Sequence, residues 1–185
     1  MTTHDLVLSA MFAALIVVLG ALPGIPLAFL PVPITLQSLG VMLAGALLGP
    51  RRGAASVLIL VALVMMGLPV LAGGRGGMGV LAGPSAGFIL GWIPAAFVTG
   101  LLAAHAPSPA GGATRSFAGH LLACLTGGIV VDYLCGILWL VAVTGLPPAH
   151  AALGTLAFIP GDLIKATLAS WIAVSIKRVH ALEPR

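Results

Sequence analysis

A bundle of membrane-crossing helices is the fold class this sequence predicts, all-α with six spans, and three observations predict it. Of its 185 residues, 60% are hydrophobic and only 6% are charged. Soluble domains carry about 25% charged residues, so a solvated surface cannot be assembled from this inventory. Several apolar runs reach the roughly 20 residues that a bilayer core demands of a helix, and the mean hydropathy is +1.20. These runs are uniformly apolar, whereas a membrane barrel shows alternating segments of about ten residues.

Proline, glycine and charge divide the chain into spans near 6–22, 34–49, 53–68, 84–104, 117–144 and 152–176, all within a single membrane domain. The first lacks the basic start of a signal peptide and is expected to stay as a span. The second and third are short. Breaks fall at "PGIPLAFLPVP", "PRR", "PVLAGGRGGMGVLAG", "HAPSPAGGATR" and "GLPPAH". An even number of spans puts both termini on one side, with Arg51, Arg52, Arg115, Lys177, Arg178 and Arg185, and leaves Arg75 on the other. The positive-inside rule then makes both termini cytoplasmic. Basic residues beside anionic headgroups account for the net charge of +4 without a nucleic-acid partner.

Small residues mark close helix packing. Gly45 and Gly49 form one G-x-x-x-G, and Gly83, Gly87 and Gly91 a double one, read chiefly as intramolecular contacts. Ala10 and Ala14 repeat the spacing on the first span, where an exposed seam suits a partner. Cys124 and Cys135 fall on one predicted helix, about 16 Å apart along its axis, too far for a disulfide.

The polar residues at membrane depth are few: Thr35, Gln37, Asp132, Tyr133, Asp162 and Lys165. A charge at the bilayer centre costs about 2.5–3.5 kcal/mol on insertion scales, so each is expected to face the interior and to pair or serve a ligand. Asp162 and Lys165 lie about 60° apart around a helix, so one cavity can hold both. Pro160-Gly161 can break the helix just before them and release backbone groups. A purely structural salt bridge is the competing reading. Asp132 has no basic neighbour at helical spacing, and Arg75 balances it if the "GGRGGMG" loop folds into the bundle mouth. The set suits a ligand with N–H donors and an anionic tail.

Other chemistry is poorly supported. Gly74, Gly76 and Gly79 match G-x-G-x-x-G, but no strand precedes them and no acidic residue follows at the required distance. The glycine loop reads instead as a flexible lid or a plain mobile loop. No P-loop motif occurs, so any ATP-driven step belongs to a partner. His4, His105, His120, His150 and His180 fall near span ends or in loops without metal-ligand spacing. No nucleophile motif is present, and the chain is not expected to be an enzyme. An intramembrane protease built on Asp132 and Asp162 has no flanking support.

The blocks "VPITLQSLGVMLAGALLGPRRGA", "GLPVLAGGRGGMGVLAGPSAGFILGW" and "FIPGDLIKATLA", in that order, resemble the BioY family of biotin transporters, over residues 5–177. That resemblance implies a six-helix S component of an energy-coupling factor transporter, with a biotin pocket near the extracellular face. It implies no cofactor of its own, a membrane-embedded T component and two cytoplasmic ATPase subunits as partners, and the prokaryotic cytoplasmic membrane as location. A homo-oligomer stays open. The family's G-D-x-x-K pattern falls on Gly161, Asp162 and Lys165. Asp162 is expected to accept from ureido N–H groups, with Lys165 partnering either Asp162 or the ligand carboxylate. "PITLQ" carries over to Thr35 and Gln37, and the glycine loop to Gly73, Gly74, Arg75 and Gly76. Asp132 and Tyr133 fall where the family also places polar residues, and Ala10 and Ala14 match its docking alanines. Phe88 departs from an expected tyrosine at the loop's edge. An S component for another vitamin, or a stand-alone proton-coupled carrier, are the alternative readings.

Overall fold

The computed structural model describes residues 1–108 and 112–182, with side chains to 179. Arg185, the side chain of His180 and residues 109–111 of the fourth break lie outside that set. Helix α1 (Thr3–Gly20) opens on a capping box in which Thr2 and Asp5 satisfy each other's backbone N–H groups. Its buried positions, Ser9, Ala13, Ile16 and Gly20, recur at four- and three-residue intervals and form one inward seam. Phe12 and Val17 flank that seam, half-buried against the core, and Ala10 and Ala14 are exposed. Asp5 forms an ion pair with Arg52 and accepts from the Thr2 backbone N–H.

A β-hairpin follows, β1 (Ile25–Leu27) paired antiparallel with β2 (Leu30–Ile34). This departs from the wholly helical expectation, which left the segment as a break. Prolines suit a two-stranded ribbon because every strand in it is an edge. The pleat turns Leu30 and Val32 inward and Pro31 outward. The inward pair packs with Phe88, Tyr133, Leu140, Ala151 and Phe158, so the hairpin closes one end of the bundle.

Helix α2 (Gln37–Leu48) is buried along most of its length and on all sides. With α5 (Ala86–Ala104) it forms the centre of the bundle. A Cβ on Gly45 would sit 2.6 Å from the Ala96 carbonyl oxygen of α5, so glycine there permits the helices to approach. Gly49 has another role: at φ +81° it reverses the chain into Pro50, the first residue of α3 (Pro50–Met65). Both α2 and α3 fall short of the roughly 20 residues of a full crossing.

The glycine-rich segment forms a hydrogen-bonded turn. Leu71 and Arg75 exchange backbone hydrogen bonds of 3.0 and 3.2 Å across Gly73 and Gly74, both at positive φ. The Gly77 N–H donates to Val64 at 2.8 Å. A short helix α4 (Met78–Ala82) leads into α5. The next rod comprises α6 (Ala113–Leu125), a π-helical turn (Thr126–Val131) and α7 (Asp132–Thr144). The last comprises α8 (Pro148–Thr155), a 3-10 turn (Leu156–Phe158) and α9 (Ile159–Leu182). The expected break at Pro160-Gly161 falls one step earlier, at the 3-10 turn. Pro160 itself is accommodated in the first turn of α9, where its missing N–H costs little.

Among the described residues, four rods, Thr3–Gly20, Ala86–Ala104, Ala113–Thr144 and Pro148–Val179, are long and apolar enough to cross a membrane. Gly87 and Gly91 face α7, where a Cβ on Gly87 would collide with Trp139. His120 is buried within the bundle. It bonds the Ser116 carbonyl through Nδ1 at 2.8 Å, and its Nε2 accepts from Lys177 at 2.9 Å. Cys124 and Cys135 are both free thiols.

Gln37 ties three segments together at the hairpin end. Its Nε2 donates to the carbonyls of Ile16 (3.2 Å) and Val70 (3.1 Å), and its Oε1 accepts from Ala72 N–H (3.0 Å). Gln37→Ala is expected to lower the unfolding free energy by about 1–3 kcal/mol, since it leaves the Ala72 N–H buried without an acceptor. Thermal unfolding of the purified protein reads this, and an unchanged midpoint would refute the tie.

Candidate ligand-binding site

Where α2, α5, α7 and α9 meet the hairpin and the glycine turn, the side chains do not fill the interior. They leave a small cavity there, of about 50 Å³. Its apolar wall is aromatic. Phe88, Tyr133 and Phe158 stand mutually edge-to-face, with ring centroids 5.9–6.4 Å apart. Gly136 of α7 leaves room for the Phe88 ring, which its Cβ would strike. Phe88 therefore sits in the cavity wall on the first turn of α5, not at a loop's edge. Trp92, Ile89, Leu71 and Ile34 also line it.

One side is a closed polar network. The Lys165 ammonium has three donors, and its Nζ reaches Thr35 O at 2.7 Å, Asp162 Oδ1 at 2.8 Å and Ser38 Oγ at 3.0 Å. Asp162 also accepts from Tyr133 Oη at 2.6 Å and from Ser38 Oγ at 3.3 Å. Of the two partners left open for it, Lys165 takes the aspartate. The pair is buried, electrically neutral, and joins α2, α7 and α9.

The other two charges are differently placed. Asp132, the first residue of α7, is 5% exposed, and its Oδ1 has no hydrogen-bond partner among the described residues. A buried carboxylate oxygen left in this way is costly unless a donor comes to it. Arg75 lines the cavity and also an outer groove between the hairpin and Gly73. Its Nε donates to Ala72 O at 3.1 Å, and no ion pair to it occurs among the described residues. A deep, unengaged carboxylate and a guanidinium at the mouth thus face one aromatic chamber.

The structure brings together at this cavity Thr35, Gln37, Arg75, Asp132, Tyr133, Asp162 and Lys165. Gly73, Gly74, Gly76 and Gly161 are not among the lining residues. Gly73 and Gly74 supply the positive φ angles of the turn that carries Arg75. The Gln37 amide lies in the wall with its bonds already made to backbone. Sequence reasoning missed Ser38, although it directly follows Gln37 in the "PITLQS" block. Phe158 was equally within reach, because it opens "FIPGDLIK". Nothing in the sequence distinguishes Trp92 from other bundle aromatics.

Fold and cavity together define a polytopic helical membrane protein with an internal cavity that is aromatic on one side and polar on the other. The BioY family model matches residues 1–181. The biotin transporter BioY of Rhizobium etli is 52% identical over the whole of this chain and 98% of its own length. That of Rhodobacter capsulatus is 51% identical over 94% of this chain and 93% of its own. A crystal structure of the S-component for biotin from an ECF-type ABC transporter superposes with a TM-score of 0.85 at 38% identity, covering 99% of this chain and 96% of that one. This chain belongs to the BioY family.

Lys165→Ala strands a buried carboxylate and is expected to destabilise the protein by about 3–5 kcal/mol. Lys165→Met with Asp162→Leu is expected to cost less than that single change, because no unpaired charge remains. Unfolding in detergent without added ligand compares them. A double variant less stable than Lys165→Ala would show that the pair does more than neutralise itself.

Proposed function

We propose that this protein is the biotin-binding S component of an energy-coupling factor transporter, taking up biotin across the cytoplasmic membrane of a prokaryote. The observation that carries the reading is the pairing of an unengaged deep carboxylate with an Arg75 guanidinium at the mouth, on either side of an aromatic chamber. Biotin complements that arrangement: its ureido ring offers two N–H donors, its bicycle is compact and apolar, and its valerate tail ends in a carboxylate. Asp132 accepts from the ureido ring, Arg75 holds the tail, and the Asp162–Lys165–Tyr133–Ser38 network forms the polar wall alongside. Thr35 contributes to the same wall. This assignment moves the ureido contact from Asp162, whose oxygens already accept three bonds, to Asp132.

Uptake needs partners under this reading. The chain carries no P-loop, so ATP is used by two cytoplasmic ATPase subunits acting through a membrane-embedded T component. Ala10 and Ala14, exposed on α1, are the proposed docking seam for that component. Both termini are cytoplasmic, on the side of Arg51, Arg52, Arg115, Lys177 and Arg178. No cofactor or metal is required for binding, and no catalytic step is assigned, in keeping with the family.

Calorimetric titration of biotin into the detergent-purified protein tests the reading. Tight binding is expected, with Asp132→Asn and Arg75→Ala each weaker by at least about 1.4 kcal/mol, a factor of ten. Arg75→Ala should leave the affinity for biotinamide, which has no tail charge, at the parent's value. Absence of binding in a folded preparation, or competition by another vitamin but not by biotin, would overturn the assignment. Uptake in cells that collapses on adding a protonophore at constant ATP would replace the partner-driven mechanism with a proton-coupled one.

A further inference from the structure

Asp132 stands directly after the π-helical turn Thr126–Val131, and its carboxylate lies in the seam between α7 and α5. Two features put it there. A π-helical turn takes in an extra residue, and one residue is about 100° of helical phase. Without that residue, the rod entering from α6 would present Asp132 and Tyr133 away from the cavity. Gly127 and Gly128 fit the turn against its neighbours: a Cβ on Gly127 would lie 2.5 Å from Ala95 O of α5, and one on Gly128 2.8 Å from Met42 Cγ of α2. The second feature is Gly91 on α5. A Cβ there would sit 2.8 Å from Asp132 Oδ1 and 2.8 Å from Cys135 Cβ, closer than such contacts normally come.

We infer that Gly91, together with the π-helical turn, sets the depth of the Asp132 carboxylate and so determines the affinity with which the cavity reads an N–H donor. Gly91 is a positioning residue and touches no ligand. Its missing side chain allows the carboxylate to draw back into the α5–α7 seam, where Oδ1 is buried without a partner among the described residues. An alanine there drives the carboxylate toward the chamber, shortening the space for a cyclic urea and misaligning its acceptor. As a claim about biotin this rests on the proposed function; as a claim about Asp132 it does not.

The chain has three aspartates, Asp5, Asp132 and Asp162, so carbon-13 labelling of aspartate gives a short, assignable set of carboxyl resonances. Gly91→Ala is expected to shift the Asp132 resonance while leaving that of Asp5 unmoved. It is also expected to weaken biotin binding at least tenfold, but less than twofold when added to Asp132→Asn, because both changes act through one carboxylate. If Gly91→Ala alone fails to fold, Gly91→Ala with Cys135→Gly removes the second collision and retains the one with Asp132. An unmoved Asp132 resonance, or an equal loss of affinity in both backgrounds, overturns the inference. If the parent binds no biotin, the proposed function falls, and the resonance still decides whether Gly91 positions Asp132.

Discussion

The pairing of Lys165 with Asp162 is the interaction on which the rest of the architecture depends. Neither charge can remain alone in a chain with almost no water-facing surface, so each has to bring its partner and the surrounding groups with it. Lys165 uses all three of its donors, on Thr35, Ser38 and Asp162, and Tyr133 takes the remaining carboxylate oxygen. Those bonds fix the start of α2, the first turn of α7 and the first turn of α9 relative to one another. A neutral, closed network of this kind sets the cavity's shape without depending on any ligand.

Glycine provides the complementary device. Gly45 admits α5 against α2, Gly136 admits the Phe88 ring, and Gly91 admits the Asp132 carboxylate. Lipid tails are as apolar as leucine, so helices in a membrane associate through close packing and polar contacts rather than hydrophobic exclusion. Here the closest approaches occur on the helices that surround the chamber. Its aromatic wall and its one unengaged carboxylate are consequences of the same tight seams.

The entrance is built from segments with little regular structure. The hairpin turns Leu30 and Val32 into the core, and the glycine turn exchanges two backbone bonds between Leu71 and Arg75. Gln37 then bonds to the backbone around that turn as well as to α1. Arg75 is therefore carried on an anchored support, and an arginine held in that way can meet a carboxylate with less loss of conformational freedom.

Composition alone determined that this chain lives in a membrane as a helical bundle, because 6% charged residues cannot solvate a surface. The same scarcity made much of the site legible: where charge is so costly, Asp132, Asp162 and Lys165 stand out. Periodicity could not reveal the hairpin, since its prolines read as a break and its alternation runs for only a few residues. Nor could it tell that Gln37 serves backbone while Ser38 beside it serves the ion pair, because both lie in the same apolar block. Which aspartate is saturated and which is left open was decided only by tertiary structure. That outcome depends on the phase of a π-helical turn and on a side chain missing from a neighbouring helix, and both are set by packing between segments distant in sequence.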